Sequence, residues 1–186
     1  MTKLEYFKIC NRGEWFNTAG NVTWKRVDNT LYFQCSKGEK DWSRNVAILP
    51  TTVKIQGVTF LIPLGLEASW SEIKHIIKNN PCDNYVGYSL GAEIAALSSA
   101  YTEKPAIAFA CPNFYIGGKK TTKLFDNVEF VSHDKDLVTK LPLGYRKGSN
   151  ETVLSGNVVY PEGYGVIKTY SGHSPTAYKQ LLGEIV

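Results

Sequence analysis

The feature that most constrains the fold of this chain is the G-x-S-x-G sequence Gly87-Tyr88-Ser89-Leu90-Gly91. The preceding residues, Cys82–Val86, are compatible with a short strand, and the following residues, Ala92–Ala100, are rich in helix formers. A strand, a sharp turn and a helix are the context in which this pattern places a serine on a nucleophile elbow. The glycines permit a strained turn, and the first N–H groups of the helix point beside the serine oxygen. The pattern predicts Ser89 as a nucleophile, with a plain Gly-Ser turn as the alternative.

A serine nucleophile needs a general base, and the chain has three histidines that could supply it. His75 precedes the serine on a predicted helix and lies off its apolar face, so it is expected to be solvent-exposed. His133 follows a predicted strand but comes before the best candidate acid. His173 lies in a turn-rich loop ahead of a short C-terminal helix. Where such an elbow carries a catalytic serine, the chain order is serine, acid, histidine. His173 is therefore the predicted base.

The acid that orients the base should follow a strand between these two residues. The predicted strand Val128–Ser132 is followed by two carboxylates, Asp134 and Asp136. Asp134 is more simply explained as a solvated turn residue, but position alone leaves the choice between them open. Glu93 is too close to the nucleophile and is expected to face outwards from its helix.

Six segments of the chain, taken in order, resemble the motifs of one enzyme family. They are Phe33–Trp42 (F-R-G-T-x-S-x-x-D-W in the family), Leu61–Leu66 with Trp70 (V-H-x-G-F), Gly87–Ala96 (G-H-S-L-G-G-A-L-A), Phe109–Pro112 (T-F-G-x-P), Asp136–Pro142 (D-x-V-x-x-L-P) and Gly172-His173 with Tyr178 (D-H-x-x-Y). The chain thus resembles a small, divergent member of the class 3 lipase family, a branch of the α/β-hydrolases. The resemblance runs from Thr30 to Leu182, and residues 1–29 match no family motif.

The resemblance implies a catalytic triad of Ser89, Asp136 and His173, because Asp136 and not Asp134 begins the D-x-V-x-x-L-P segment. It places Ser36 and the backbone N–H of Leu90 at the oxyanion hole. The implied activity is that of a serine carboxylic-ester hydrolase, a lipase or esterase without a cofactor, acting on a small ester or lipid. Two alternatives stay open: a catalytically inactive binding protein with this fold, and an acyltransferase or thioesterase that uses the same triad.

The chain departs from the family pattern at several positions near the predicted site. Gln34-Cys35-Ser36 replaces R-G-T, Pro63 replaces a histidine, Tyr88 replaces the elbow histidine, and Ala92-Glu93 replaces two small residues. None of these departures is expected to touch the triad. The changes at 34–36 put the shape of the oxyanion loop in question.

The order of predicted elements favours an α/β fold formed by residues 1–186 as a single domain. Alternating strands and helices over Val58–Ser132 predict a parallel sheet. The N-terminal segments are predicted as strands that add an antiparallel edge, which makes an α/β-hydrolase-like, mixed and mostly parallel sheet flanked by helices. The predicted strands are Leu4–Cys10, Val22–Val27, Thr30–Cys35, Val58–Ile62, Cys82–Val86, Ala106–Ala110, Val128–Ser132, Thr152–Leu154 and Gly165–Lys168.

Composition narrows the classes of partner and location. The formal net charge is +4, and Arg146-Lys147 and Lys119-Lys120 are among the longest basic runs, so no nucleic-acid partner is expected. The four cysteines form no metal-ligand pattern with histidine and are predicted to be buried thiols, so no metal is expected. The sequence shows neither a signal peptide nor a membrane-spanning run, which predicts a cytoplasmic location. A viral or phage origin stays open, and the oligomeric state is not predicted.

Overall fold

The computed structural model describes residues 1–11, 17–19, 22–35, 48–158 and 172–183, with the backbone alone for residues 17–19 and Cys35. Its strands are β1 (Asn17–Ala19), β2 (Val22–Val27), β3 (Thr30–Cys35), β4 (Pro50–Ile55), β5 (Val58–Pro63), β6 (Asn84–Tyr88), β7 (Ala106–Phe109), β8 (Val128–His133) and β9 (Glu151–Leu154). Its helices are α1 (Lys3–Asn11), α2 (Leu64–Asn79), α3 (Leu90–Thr102), α4 (Lys119–Lys123) and α5 (Pro175–Leu181), with a 3₁₀ turn at Val138–Lys140. None of these described helices is long and apolar enough to cross a bilayer.

Seven strands form one sheet in the order β1-β2-β3-β6-β7-β8-β9. The pairings β1–β2 and β2–β3 are antiparallel, and the four pairings from β3 to β9 are parallel. The predicted α/β class, with a mixed and mostly parallel sheet and an antiparallel N-terminal edge, is confirmed. In a parallel sheet the carboxyl ends of the strands lie at one edge, so the residues that follow β6 and β8 come together there.

Helices cover both faces of the large sheet. On one face, α3 packs against β3, β6, β7 and α2, and its buried apolar side chains join one apolar cluster. On the other face, α1 packs against β3, β6 and α5 around an aromatic cluster that contains Phe7, Tyr88, Phe109 and Tyr178. Because side chains alternate along a strand, Tyr85 of β6 faces the α3 layer and Tyr88 faces the α1 layer.

The prediction of a strand at Leu4–Cys10 is wrong, because this segment is the helix α1. Its two buried residues, Phe7 and Cys10, are three positions apart, which is helical rather than strand spacing. The start of the helix is fixed by a capping box. The backbone N–H of Glu5 donates to Thr2 Oγ1 at 3.3 Å, and the backbone N–H of Thr2 donates to Glu5 Oε2 at 2.6 Å. The sequence signal for this helix is T-x-x-E, Thr2 to Glu5, at the start of the segment.

The prediction that Val58–Ile62 belongs to the parallel sheet is also wrong. This segment lies in β5, which pairs with β4 in a separate two-stranded antiparallel sheet. The turn between them is Gln56-Gly57, with φ of 48° and 78°. Two successive residues with positive φ match the tight turn that hairpins favour, so the local turn overrides the strand–helix alternation.

The other predicted elements lie within a few residues of their observed positions. The strand expected at Cys82–Val86 is Asn84–Tyr88, which brings it directly up to Ser89. The predicted helix that carries His75 is α2, which begins at Leu64, immediately after β5. The strand predicted at Gly165–Lys168 lies outside the described residues. Cys10, Cys82 and Cys111 are free and buried, as predicted; the side chain of Cys35 lies outside the described part of the chain.

Candidate active site

Ser89 occupies a strained turn between β6 and α3, with φ of 57° and ψ of −125°. A non-glycine residue in this region costs roughly 1–3 kcal/mol, which the surrounding structure must supply. The turn closes only because the residues two positions before and two positions after Ser89 are glycine. A Cβ at Gly87 would lie 2.0 Å from the carbonyl oxygen of Gly91, and a Cβ at Gly91 would lie 2.3 Å from the carbonyl oxygen of Phe33. The G-x-S-x-G spacing therefore forms an elbow that presents a half-buried Ser89 at the edge of the sheet.

Ser89, Asp136 and His173 come together although they are far apart in the sequence. Nε2 of His173 lies 3.0 Å from Ser89 Oγ. Nδ1 of the same ring lies 2.9 Å from Asp136 Oδ2 and 3.1 Å from Oδ1. With the proton on Nδ1, the imidazole donates to the carboxylate and its Nε2 accepts from the serine hydroxyl. This arrangement has the connectivity of a nucleophile, a base and an orienting acid.

The carboxylate of Asp136 is completely buried and has three kinds of donor. Besides the imidazole, the backbone N–H of Val138 donates to Oδ1 at 3.0 Å, and the hydroxyl of Tyr178 donates to Oδ2 at 2.8 Å. The Tyr178 oxygen in turn accepts the backbone N–H of His133 at 3.0 Å. Burial, and after it the charge of Asp136, raises the pKa of Tyr178 far above its usual value, so its hydroxyl remains a donor. The orientation of the carboxylate is thus fixed from several sides.

The loop that carries His173 is held through its backbone. Nδ1 of the buried His133 lies 3.2 Å from the carbonyl oxygen of Gly172, and the Tyr88 hydroxyl donates to the carbonyl oxygen of His173. A Cβ at Gly172 would lie 2.3 Å from the carbonyl oxygen of Lys135, so the loop lies directly against the backbone next to Asp136. The expectation that no departure from the family pattern touches the triad is wrong for Tyr88. Side-chain alternation points residue 88 towards the α1 and α5 layer, where this loop lies.

Of the two predicted oxyanion donors, only Leu90 lies within the described residues. It is the first residue of α3, and its N–H belongs to the first turn, where helical N–H groups have no acceptor within the helix. Such a group, next to the serine and at the positive end of the helix dipole, can donate to a developing oxyanion. Ser36 lies outside the described residues.

The residues that the sequence analysis set aside have different surroundings. His75 is exposed on α2, as expected. Asp134 is exposed; its Oδ1 is 3.1 Å from His133 Nε2, but the two atoms are not aligned for a hydrogen bond, and this nitrogen has no hydrogen-bond partner among the described residues. The expectation that Glu93 faces outwards is wrong, since it is only 6% exposed. Burial raises the pKa of Glu93 to about 8.

Within the described ranges, no three His, Cys, Asp or Glu side chains converge in a way that could hold a metal ion. The three residues that do converge at the elbow pair with one another through hydrogen bonds. A serine hydroxyl, an imidazole and a buried carboxylate thus lie within hydrogen-bonding distance of one another in that order.

Comparison with solved structures shows that the overall fold of the chain is a known one. Lip2 lipase from Yarrowia lipolytica superposes with a TM-score of 0.58 at 15% identity, over 85% of this chain and 79% of that protein. The chain has a lipase-like α/β-hydrolase fold. A triacylglycerol lipase from Penicillium expansum matches with a TM-score of 0.47 at 19% identity, over 83% of this chain and 77% of that one. The lipase of Rhizomucor miehei in its propeptide complex matches with a TM-score of 0.46 at 18% identity, over 66% of this chain and 47% of that one.

By sequence, no protein-family model and no curated protein matches this chain. At 15% identity, the similarity to the Yarrowia enzyme is a similarity of fold. One fold hosts many activities, so the function of this lipase-like fold must be argued from the site itself.

Proposed function

We propose that this chain is a serine carboxylic-ester hydrolase of the lipase and esterase class, in which Ser89, His173 and Asp136 act as nucleophile, base and orienting acid. The observation that carries the proposal is the pair of contacts of the His173 ring, at 3.0 Å to Ser89 Oγ and 2.9 Å to Asp136 Oδ2. The strained φ of Ser89 supports the same role, because backbone strain of this kind clusters at reactive sites. The similarity of fold and motifs to class 3 lipases supports ester or lipid substrates.

In the first half of the reaction, Ser89 Oγ attacks the carbonyl carbon of an ester while His173 Nε2 takes the hydroxyl proton. The negative charge moves to the carbonyl oxygen, where the N–H of Leu90 stabilises it together with the proposed donor Ser36. Removing one such donor in a related mechanism costs roughly 3–4 kcal/mol of transition-state stabilisation. The bond to the alcohol oxygen then breaks, and His173 returns its proton to the leaving alcohol. The acyl group remains on Ser89.

In the second half, His173 Nε2 takes a proton from water, and the resulting hydroxide attacks the acyl carbon. The bond to Ser89 Oγ breaks, the serine recovers the proton, and a carboxylic acid is released. Asp136 remains ionised throughout and stabilises the charged imidazole. Because its carboxylate is fixed by Val138 and Tyr178, it can hold one ring orientation in both halves.

The proposal is tested by intact-mass measurement after exposure to an alkyl fluorophosphonate, which phosphonylates an activated serine with loss of fluoride. Wild type is expected to gain one adduct, and both Ser89→Ala and His173→Ala to gain none. With a soluble p-nitrophenyl ester, each variant should lose roughly 10⁴–10⁶-fold in kcat/KM, as in other triads. Ser71→Ala and His75→Ala, at exposed positions of α2, are the matched controls and should react like wild type.

The same experiment separates the alternatives. A folded wild type that takes up no adduct would contradict the proposal and favour an inactive binding protein with this fold. An adduct that persists in Ser89→Ala would assign the reactivity to another residue. If wild type is labelled but transfers acyl groups to an added alcohol faster than to water, the triad acts in transfer and not in hydrolysis.

A further inference from the structure

Tyr88, the last residue of β6, touches the proposed base although it belongs to no part of the triad. Its side chain is 7% exposed and faces the α1 and α5 layer. Its hydroxyl donates to the backbone carbonyl of His173, and its ring stacks on the imidazole with centroids 5.5 Å apart at 28°. We propose that Tyr88 is a positioning residue, which holds the backbone and the ring of His173 so that Nε2 stays on Ser89 Oγ. The inference rests on the proposed function of this site.

The way in which Tyr88 binds His173 leaves both ring nitrogens available. The hydrogen bond goes to the main-chain carbonyl, so Nδ1 keeps its contact with Asp136 and Nε2 keeps its contact with Ser89. The stacked ring limits rotation of the imidazole out of the plane that joins those two partners. A further residue that bound either nitrogen would displace Asp136 or Ser89, whereas Tyr88 restricts only the position of the ring.

Tyr88 is itself fixed by aromatic packing. The ring of Phe7 packs edge-on at 5.6 Å, and the ring of Tyr178 packs edge-on at 6.1 Å. Such edge-to-face pairs each contribute roughly 0.5–1.5 kcal/mol beyond the area that they bury. Tyr88 also directly precedes Ser89, so the position of its phenol is coupled to the elbow. The positions of the proposed base and nucleophile are therefore both fixed relative to the carboxyl end of β6.

The position of Tyr88 explains why a tyrosine suits this site. The residue directly before Ser89 points away from α3 and towards α5, since the preceding residue, Gly87, occupies the face against α3. A side chain there must pass beside the imidazole to reach the main chain of His173, and a phenol spans that distance with its hydroxyl at the end. Phenylalanine keeps the ring and its packing but has no donor. The two contributions can thus be separated by one substitution.

The test compares Tyr88→Phe with Tyr85→Phe, the same change in the same strand but on the α3 face. Loss of a hydrogen bond of this kind corresponds to roughly a tenfold effect. We expect Tyr88→Phe to lower kcat on a p-nitrophenyl ester, and the rate of fluorophosphonate labelling, about tenfold, with KM within twofold of wild type. Tyr85→Phe should keep both rates. A role in stability alone would lower the melting temperature in both variants and leave the rates of the folded proteins unchanged.

Amide hydrogen exchange provides a readout that does not depend on activity. In Tyr88→Phe, exchange should accelerate in the segment 172–178 and stay unchanged in α3; in Tyr85→Phe it should stay unchanged in segment 172–178. Wild-type labelling rates in Tyr88→Phe, or unchanged exchange in 172–178, would overturn the inference. If wild type itself is not labelled, the proposed function fails, and the exchange result alone then decides whether Tyr88 holds this loop.

Discussion

At the scale of single residues, the least expected feature is a buried carboxyl one helical turn beyond the nucleophile. The side chain of Glu93 is only 6% exposed. Its helix has no outward face here, because every residue from Leu90 to Ala100 is buried. Burial raises the pKa of Glu93 to about 8, which favours the neutral acid near neutral pH. The thiol of Cys111 is also buried, and its own burial raises its pKa well above the usual value, with the charge of Glu93 as the next largest cause.

Glu93 makes stability depend on pH with a predictable sign. Its pKa is raised from 4.5 to about 8 on folding, so the folded state holds a proton that the unfolded state releases. The contribution of the neutral Glu93 to the free energy of unfolding is therefore fully present below pH 4.5 and is lost as the pH rises towards 8. The slope is about 1.4 kcal/mol per pH unit between the two pKa values and decreases near each of them, so the loss between pH 5 and pH 8 is roughly 3–4 kcal/mol. Urea unfolding at several pH values should show this loss in wild type and not in Glu93→Gln.

The matched control for this prediction is Glu103→Gln, at the exposed C-terminal cap of the same helix. It should keep the pH dependence of wild type, because it leaves the buried carboxyl in place. Parallel curves for wild type and Glu93→Gln between pH 5 and pH 8 would contradict the buried, neutral acid.

The residues of the site differ in how far the sequence could predict them. Ser89 and His173 follow from local pattern and chain order, and Asp136 follows from a motif, because each sits in a segment whose neighbours specify it. The contact of Tyr88 with His173 depends on two segments 85 positions apart, and no local pattern encodes it. The burial of Glu93 depends on packing around the whole of α3. Sequence indicates which residues could react, and tertiary contacts decide what orients them.

At the scale of elements, α1 packs against the residues that hold the proposed active site. Phe7 contacts the rings of Tyr88, Phe109 and Tyr178 at centroid distances of 5.6, 5.0 and 5.8 Å. Tyr88 holds the loop of His173, and Tyr178 donates to Asp136. A segment that matches no family motif, and whose strand prediction is wrong, therefore packs against both tyrosines that hold the proposed base and acid.

Phe7→Ala is expected to affect both stability and reactivity. Removing a fully buried phenylalanine costs about 3–5 kcal/mol, because it loses apolar burial and leaves a cavity. The cavity also frees the rings of Tyr88 and Tyr178, so the fluorophosphonate labelling rate of the folded protein should fall. Leu4→Ala, at a half-buried position of the same helix, is the control and should cost much less while keeping the labelling rate. Equal losses in the two variants would contradict a specific role for Phe7.

At the scale of the whole molecule, the alternation of strands and helices was sufficient to predict the central parallel sheet. It was insufficient for β5, because a hairpin turn at Gln56-Gly57 directs that strand to β4. The alternation predicts which strands are parallel, but local turns decide which strands leave the sheet. That the whole chain forms a single domain stays a prediction, and it has a thermodynamic consequence.

The described part of the large sheet carries one apolar layer on each face, and the two layers share the strands β3 and β6. Loss of either layer would expose strands on which the other depends, so we expect one cooperative unfolding transition. For 186 residues its enthalpy should be about 130 kcal/mol near 60 °C, with equal calorimetric and van't Hoff values.

Phe7→Ala provides the sharpest test, since Phe7 lies in the α1 layer while Trp24 and Trp70 pack in the α3 layer. If the molecule unfolds as one unit, the tryptophan fluorescence midpoint in this variant shifts as much as the calorimetric one. If the two layers unfold separately, the fluorescence change that arises from Trp24 and Trp70 keeps the wild-type midpoint and a second calorimetric peak appears, which would contradict a single domain.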